Sequence, residues 1–98
     1  MKITKNKNGN TLEIALEGRL DTVTAPELED ALKGELKGVT LTRYDMTNLE
    51  YVSSAGLRVM LQAHRNMAYG GETVISHASE IVRQVLSVTG FNEVFTIE

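Results

Sequence analysis

Hydrophobic positions along this chain switch repeatedly between a period of two and a helical period, with turn-forming residues at the changes. Leu12, Ile14 and Leu16 alternate with Glu13, Ala15 and Glu17, which predicts a strand over 11–18 with one buried and one wet side. Asn8-Gly9-Asn10 reads as the turn of a hairpin whose first strand covers 2–6. Beyond Asp21 the period lengthens. Leu28, Ala31, Leu32 and Leu36 mark one side of a helix beginning at Thr24. There Thr24 and Glu27 fit a capping box, Pro26 occupies the first turn and Val23 is placed to staple onto Leu28. Gly34 costs about 1 kcal/mol relative to alanine, so this helix is expected to be short or frayed before Gly38.

A β-branched run over 39–46 reads as the next strand, with Thr42, Tyr44 and Met46 alternating with Arg43 and Asp45, and 48–52 reads as the loop that follows. Leu57, Met60, Leu61, His64 and Ala68 then fall along one side of a second helix, with Ser54 as its N-cap and Gly70-Gly71 as its stop. Residues 72–77 read as strand. Ser79 caps a third helix with Ile81, Val82, Val85 and Leu86 as its buried stripe; Gly90 ends it, Phe91 folds back on its last turn, and 92–97 closes as strand. The order is β-β-α-β-α-β-α-β. Three successive strand-helix-strand units imply an α/β fold with a mixed, mostly parallel sheet of about five strands and three helices. If the strands advance in one direction, right-handed crossovers place all three helices on one face.

The chain has 98 residues, 42% of them hydrophobic, and a second core does not fit in that length, so residues 1–98 are read as one domain. Ten Lys and Arg against thirteen Asp and Glu leave a net charge of −3, the wrong sign for holding nucleic acid through its phosphates. With no cysteine there is no disulfide framework and no thiolate for catalysis or metal binding. No stretch approaches the roughly 20 apolar residues that span a bilayer, so no membrane insertion and a cytoplasmic location are expected.

Little of the chain suggests catalysis. His64 and His77 stand outside any metal-ligand motif, so no metal and no cofactor are expected. A hydrolase assembled from Ser54, a histidine and Asp45 or Asp21 lacks the Gly-x-Ser-x-Gly elbow, and the length leaves little room for a substrate pocket. Gly70-Gly71 has no Gly-x-x-x-x-Gly-Lys context and reads as a helix stop, while Met60 and Met67 read as core or soft surface.

The segment Asp45-Met46-Thr47-Asn48-Leu49-Glu50-Tyr51-Val52-Ser53-Ser54-Ala55-Gly56-Leu57 runs from a strand end to a helix start. It resembles the signature of the STAS domains of the anti-sigma factor antagonist family: a strand ending Asp-Leu-Ser, an aromatic-aliphatic pair, a serine, a small residue and Gly-Leu opening a helix. Gly18-Arg19-Leu20-Asp21 resembles the family's Gly-x-Leu-Asp before the first helix, and 79–91 its third helix. The resemblance spans nearly the whole chain and implies a non-enzymatic partner switch. Such a module binds a serine/threonine kinase or anti-sigma factor when unmodified and is released by phosphorylation of the serine at the helix start, with a serine phosphatase as a further partner. By spacing from Gly56 that serine is Ser54. Asp21, Ser53, Ala55, Gly56 and Arg58 complete the partner-binding residues implied. Ser53 stands where many members carry Asp.

Read without the resemblance, Ser54 is a helix cap, Asp21 a loop carboxylate and Gly56 a tolerated helix-start glycine. The corresponding alternative function is a STAS module used constitutively as a binding or scaffold subunit, for example docked on a transporter ATPase.

Overall fold

The computed structural model describes residues 1–98. Its elements are β1 (Lys2–Asn8), β2 (Thr11–Leu20), α1 (Ala25–Leu32), β3 (Leu41–Val52), α2 (Ser54–Arg65), β4 (Glu72–Ser76), α3 (Glu80–Val88) and β5 (Thr96–Ile97), with a single 3₁₀ turn over Phe91–Glu93. The sheet order is β1-β2-β3-β4-β5. The hairpin β1–β2 is antiparallel, and every later neighbour is parallel. Because the strands advance in one direction, each right-handed crossover returns its helix to the same side of the sheet. Leu12, Ile14 and Leu16 of β2 and Tyr44 and Met46 of β3 accordingly share one core with Leu28 of α1, Leu57 and Met60 of α2, and Val82 and Leu86 of α3. Glu13 and Glu17, on the alternate positions, are exposed. Full burial of each such leucine or isoleucine contributes about 1.5–3 kcal/mol, and this single layer interface is the main source of stability. No helix is long and apolar enough to cross a membrane.

The start of α1 departs from the expected capping box. Thr24 has helical φ/ψ of −95° and −15° and makes no side-chain cap, while Val23 is 81% exposed and cannot staple onto Leu28. Asp21 initiates the turn instead, through contacts described below. The helix also stops at Leu32, because Gly34 takes φ of +77°, a conformation that leaves the helical path and that only glycine adopts without strain. Leu36 therefore lies outside the helix, although it still packs against the core. Two lysines from β1 close this end. Lys5 Nζ donates to Ala31 O at 2.8 Å, placing a cation where the helix dipole is negative, and Lys7 Nζ donates to Lys37 O at 3.2 Å in the segment that follows.

β3 is the largest correction. The stretch 48–52 is strand, not loop, and Val39 precedes the strand as a buried core residue. Ala15 pairs with Asp45 and Leu20 with Val52, so five steps along β2 match seven along β3, and two extra residues bulge from β3. The inward positions run Thr42, Tyr44, Met46, Leu49, Val52, and this interrupted alternation hides the strand from a search for period two. α2 ends at Arg65, well before Gly70-Gly71, with Asn66 as its C-cap.

Ser79 does cap α3, its Oγ accepting from Val82 N at 3.2 Å. Ile81, however, is 57% exposed, and Val82 and Leu86 alone are buried on this helix. Gly90, at φ of +80°, turns the chain so that Phe91 meets Phe95 with ring centroids 5.4 Å apart. The final strand is only Thr96–Ile97, because 91–93 is used in the 3₁₀ turn and Phe95 points into the core. His77 falls just outside β4 with φ of +59°.

Candidate functional site

β2 and β3 end side by side, since Leu20 and Val52 are register partners. The segments that leave them, one starting at Asp21 and the other at Ser53, are tied together by a bond from Ser53 N–H to Leu20 O at 2.8 Å. This parallel-strand edge brings together residues that lie more than thirty positions apart in the chain.

Asp21 Oδ1 accepts from Val23 N at 3.0 Å and Thr24 N at 3.1 Å, and Asp21 O accepts from Ala25 N at 2.8 Å. The Asp21 carboxylate thus orders the turn that leads into α1, while Thr24 remains the N-cap residue without the side-chain bond expected of it. The Thr24 hydroxyl turns back, accepting from Asp21 N at 2.9 Å and donating to Arg19 O at 2.7 Å. These contacts hold the Asp21 carboxyl below its ordinary range: the Thr24 backbone N–H has the largest effect, desolvation opposes it as the next largest, and Val23 N–H, the Thr24 hydroxyl and Arg19 each lower it further. Asp21 is therefore ionised, with Oδ1 engaged by Val23 and Thr24.

At the other segment the helix cap is Ser53, with extended φ/ψ of −103° and 169°, and Ser54 is the first helical residue, one position later than expected. Ser53 O accepts from Leu57 N at 3.0 Å, closing the first turn, but its Oγ is buried and has no hydrogen-bond partner. Ser54 is exposed, and its hydroxyl is engaged by no other group of the chain. The two adjacent serines thus differ sharply: one hydroxyl is enclosed and the other is presented. Ala55 is half-buried and Arg58 exposed. Gly56 is buried, and a methyl group there would collide with the Leu20 side chain, so this glycine lets α2 seat against the end of β2.

The sequence reading missed two residues at this edge. Arg19 and Tyr51 are register partners; the Arg19 guanidinium lies 4.8 Å from the Tyr51 ring centroid, and Arg19 Nε is 3.8 Å from Asp21 Oδ2. Arg19 stood inside the recognised Gly18-Arg19-Leu20-Asp21, but only the bulged register of β3 reveals Tyr51 as its neighbour. The histidines have other partners. His64 Nδ1 is 2.7 Å from Thr73 Oγ1 and its ring packs edge-on to Phe95, while His77 Nδ1 is 3.5 Å from Asp45 Oδ1. His64 sits ten residues beyond Ser54 on the same helix, about 15 Å along its axis, so the structure does not bring it to Ser54. Asp45 is also tied to Thr47, whose hydroxyl donates to Oδ1 at 2.6 Å. A groove of about 660 Å³ does open between α1 and α2, lined by Leu32, Leu36, Lys37, Val59 and Gln62 among others, more space than the chain length suggested. Neither Ser54 nor Asp21 borders it.

Comparison with known proteins settles the family. A profile of the STAS domain matches residues 2–98. The chain belongs to the STAS domain family. This STAS domain is 33% identical over 99 aligned positions to BtrV of Bordetella bronchiseptica, described as an anti-sigma factor antagonist, covering 99% of this chain and 85% of BtrV. Its fold matches the crystal structure of an anti-sigma factor antagonist from Mycobacterium paratuberculosis with a TM-score of 0.86 at 18% identity, covering 98% of this chain and 83% of that one. The anti-sigma factor antagonist SpoIIAA in its unphosphorylated form matches with a TM-score of 0.85 at 21% identity, covering 99% of this chain and 88% of that one. The five-stranded mixed sheet with three helices is the STAS antagonist fold.

Proposed function

We propose that this STAS domain is a phosphorylation-controlled partner switch of the cytoplasm: unmodified, it binds a serine/threonine kinase or anti-sigma factor, and phosphorylation of Ser54 Oγ releases it until a serine phosphatase restores the hydroxyl. The observation that carries this reading is the asymmetry of the serine pair. Ser54 presents a free hydroxyl at the first residue of α2, whereas the Ser53 hydroxyl is enclosed. A phosphate adds about −1.5 to −2 charge, and at a helix start it meets free N–H donors and the positive end of the dipole, so the domain stays folded while its surface changes. Asp21, Ser54 and Arg58 are exposed or partly exposed and would touch the partner. Ser53, Ala55 and Gly56 would act mainly from beneath, by setting where α2 begins.

The test uses Ser54→Asp and Ser54→Ala, with affinity for the partner kinase or anti-sigma factor and melting temperature measured on both. Burying an unpaired charge at an interface costs about 2–5 kcal/mol, so Ser54→Asp should weaken binding more than tenfold at about 1.4 kcal/mol per decade. Because Ser54 is the first helical residue and not the cap, neither variant should melt far from wild type. Ser54→Ala should keep binding and gain no phosphoryl mass with kinase and ATP. Unchanged affinity for Ser54→Asp would sink the switch and leave the domain as a constitutive binding subunit.

A further inference from the structure

Two arginines stand near the serine pair, and they differ in what holds them. Arg19 is engaged by Asp21 and by the face of Tyr51. Arg58 is exposed, and the chain's arginine ion pairs and side-chain hydrogen bonds involve Arg19, Arg43 and Arg83 but not Arg58. Ser54 and Arg58 are both in α2, both exposed and four residues apart. That spacing puts them one above the other on the same helix face, with Cβ atoms about 5–6 Å apart. Helical side chains lean toward the N-terminus, so the Arg58 side chain has the reach to extend back over the turn that Ser54 begins. An anion four residues before a cation is also the favoured order along a helix. No acidic residue in the first turn of α2 competes for the guanidinium.

We propose that Arg58 is the intrahelical counter-ion of phosphorylated Ser54, so that modification withdraws a cation from the docking surface as well as adding an anion to it. The inference rests on the phosphorylation reading above and specifies how that modification acts. In the unmodified protein Arg58 is free to meet a carboxylate of the partner. Once Ser54 carries a phosphate, the guanidinium has a dianion within reach on its own helix and can pair with two of its oxygens. The partner then loses its contact with Arg58 and faces the residual negative charge, and no backbone rearrangement is needed.

Genetically encoded phosphoserine at position 54 makes the test independent of any kinase. Phosphorus NMR titration reports the second ionisation of the phosphate, ordinarily near 6, in the wild-type background and in Arg58→Gln, Arg58→Lys and Arg19→Gln. The wild-type value should lie below that of Arg58→Gln by roughly 0.15 to 0.4 unit, the size of an i,i+4 ion pair at about 1.36 kcal/mol per unit. Arg58→Lys should fall between them, Arg19→Gln should match wild type, and high salt should shrink the difference. Equal values in wild type and Arg58→Gln would overturn the assignment, as would a rise confined to Arg19→Gln. Pairing seen in the encoded phosphoprotein, alongside a partner kinase that never modifies Ser54, would uphold the counter-ion and reject the switch, so the two failures are distinguishable.

Discussion

Gly56→Ala probes the contact on which the site is built. The added methyl would collide with Leu20 Cγ and lie 2.8 Å from Cδ2 and 3.2 Å from Cδ1. Leu20 is fully buried, and Cγ is the branch point of its side chain and not a flexible end, so it can yield only by moving its neighbours. Two terms oppose each other. Alanine favours the helix over glycine by about 1 kcal/mol, and that gain is available because Gly56 is not among the positive-φ glycines. Overpacking a fixed core costs about 1–3 kcal/mol, and a clash at a branch point belongs at the upper end. The net expectation is destabilisation by about 1–2 kcal/mol, a fall in melting temperature of about 4–16 °C for a domain of this size. Thermal and urea denaturation measure it directly. In a Leu20→Ala background the obstacle is gone, so the same Gly56→Ala change should be neutral or stabilising; the cycle isolates the contact from helix propensity. Amide exchange at Ser53, whose N–H bonds to Leu20 O, should quicken in the single variant. A higher melting temperature for Gly56→Ala in the wild-type background, or the same effect in both backgrounds, would refute the reasoning.

Ser79→Ala should lose about 0.5–2 kcal/mol, because it removes an observed cap, whereas Ser53→Ala should lose nothing or gain slightly, because its buried hydroxyl has no partner to forfeit. Urea midpoints compare the two, and equal losses would show the Ser53 hydroxyl to be satisfied. Asp21 and Asp45 are both held below the ordinary 3.8, the first chiefly by the Thr24 backbone N–H and the second by the Thr47 hydroxyl. In acid the unfolded chain then binds more protons than the folded one, so their stabilisation is complete above about pH 4 and fades as pH falls below it through the folded values. Asp21→Asn should therefore be less stable than wild type at neutral pH and approach it in strong acid; a gap that does not narrow would exclude the carboxylate charge as the cause.

Much of this fold is legible because local chemistry and tertiary packing agree. The alternation of Leu12, Ile14 and Leu16, the Ser79 cap and the Gly90 stop each appear where expected, and the order of elements alone determines the handed, one-sided layering. Legibility fails where two local signals compete. Asp21 and Thr24 can both cap, and only the folded chain shows that Asp21 takes the amides while Thr24 turns back to Arg19 O. Ser53 and Ser54 can both precede the helix, and the choice is made by Gly56 seating on Leu20, a contact between residues far apart in the chain. Ile81 looks like core by periodicity, yet α3 buries only Val82 and Leu86 and leaves Ile81 exposed.

The two bulges of β3 connect that illegibility to the site. Without them, inward positions at Thr42, Tyr44 and Met46 would continue to even-numbered residues, pointing Leu49 outward and ending the strand out of step with Leu20. With two residues extruded, Leu49 and Val52 both reach the core and Val52 stands beside Leu20. The two shifts together also advance β3 by two residues, which brings Tyr51 opposite Arg19 in the register and lets the ring support the guanidinium that reaches Asp21. A segment that looks irregular in the sequence is thus what aligns two strand ends, places an ionised Asp21 and a free Ser54 on one edge, and leaves Arg58 as the cation there without a partner of its own.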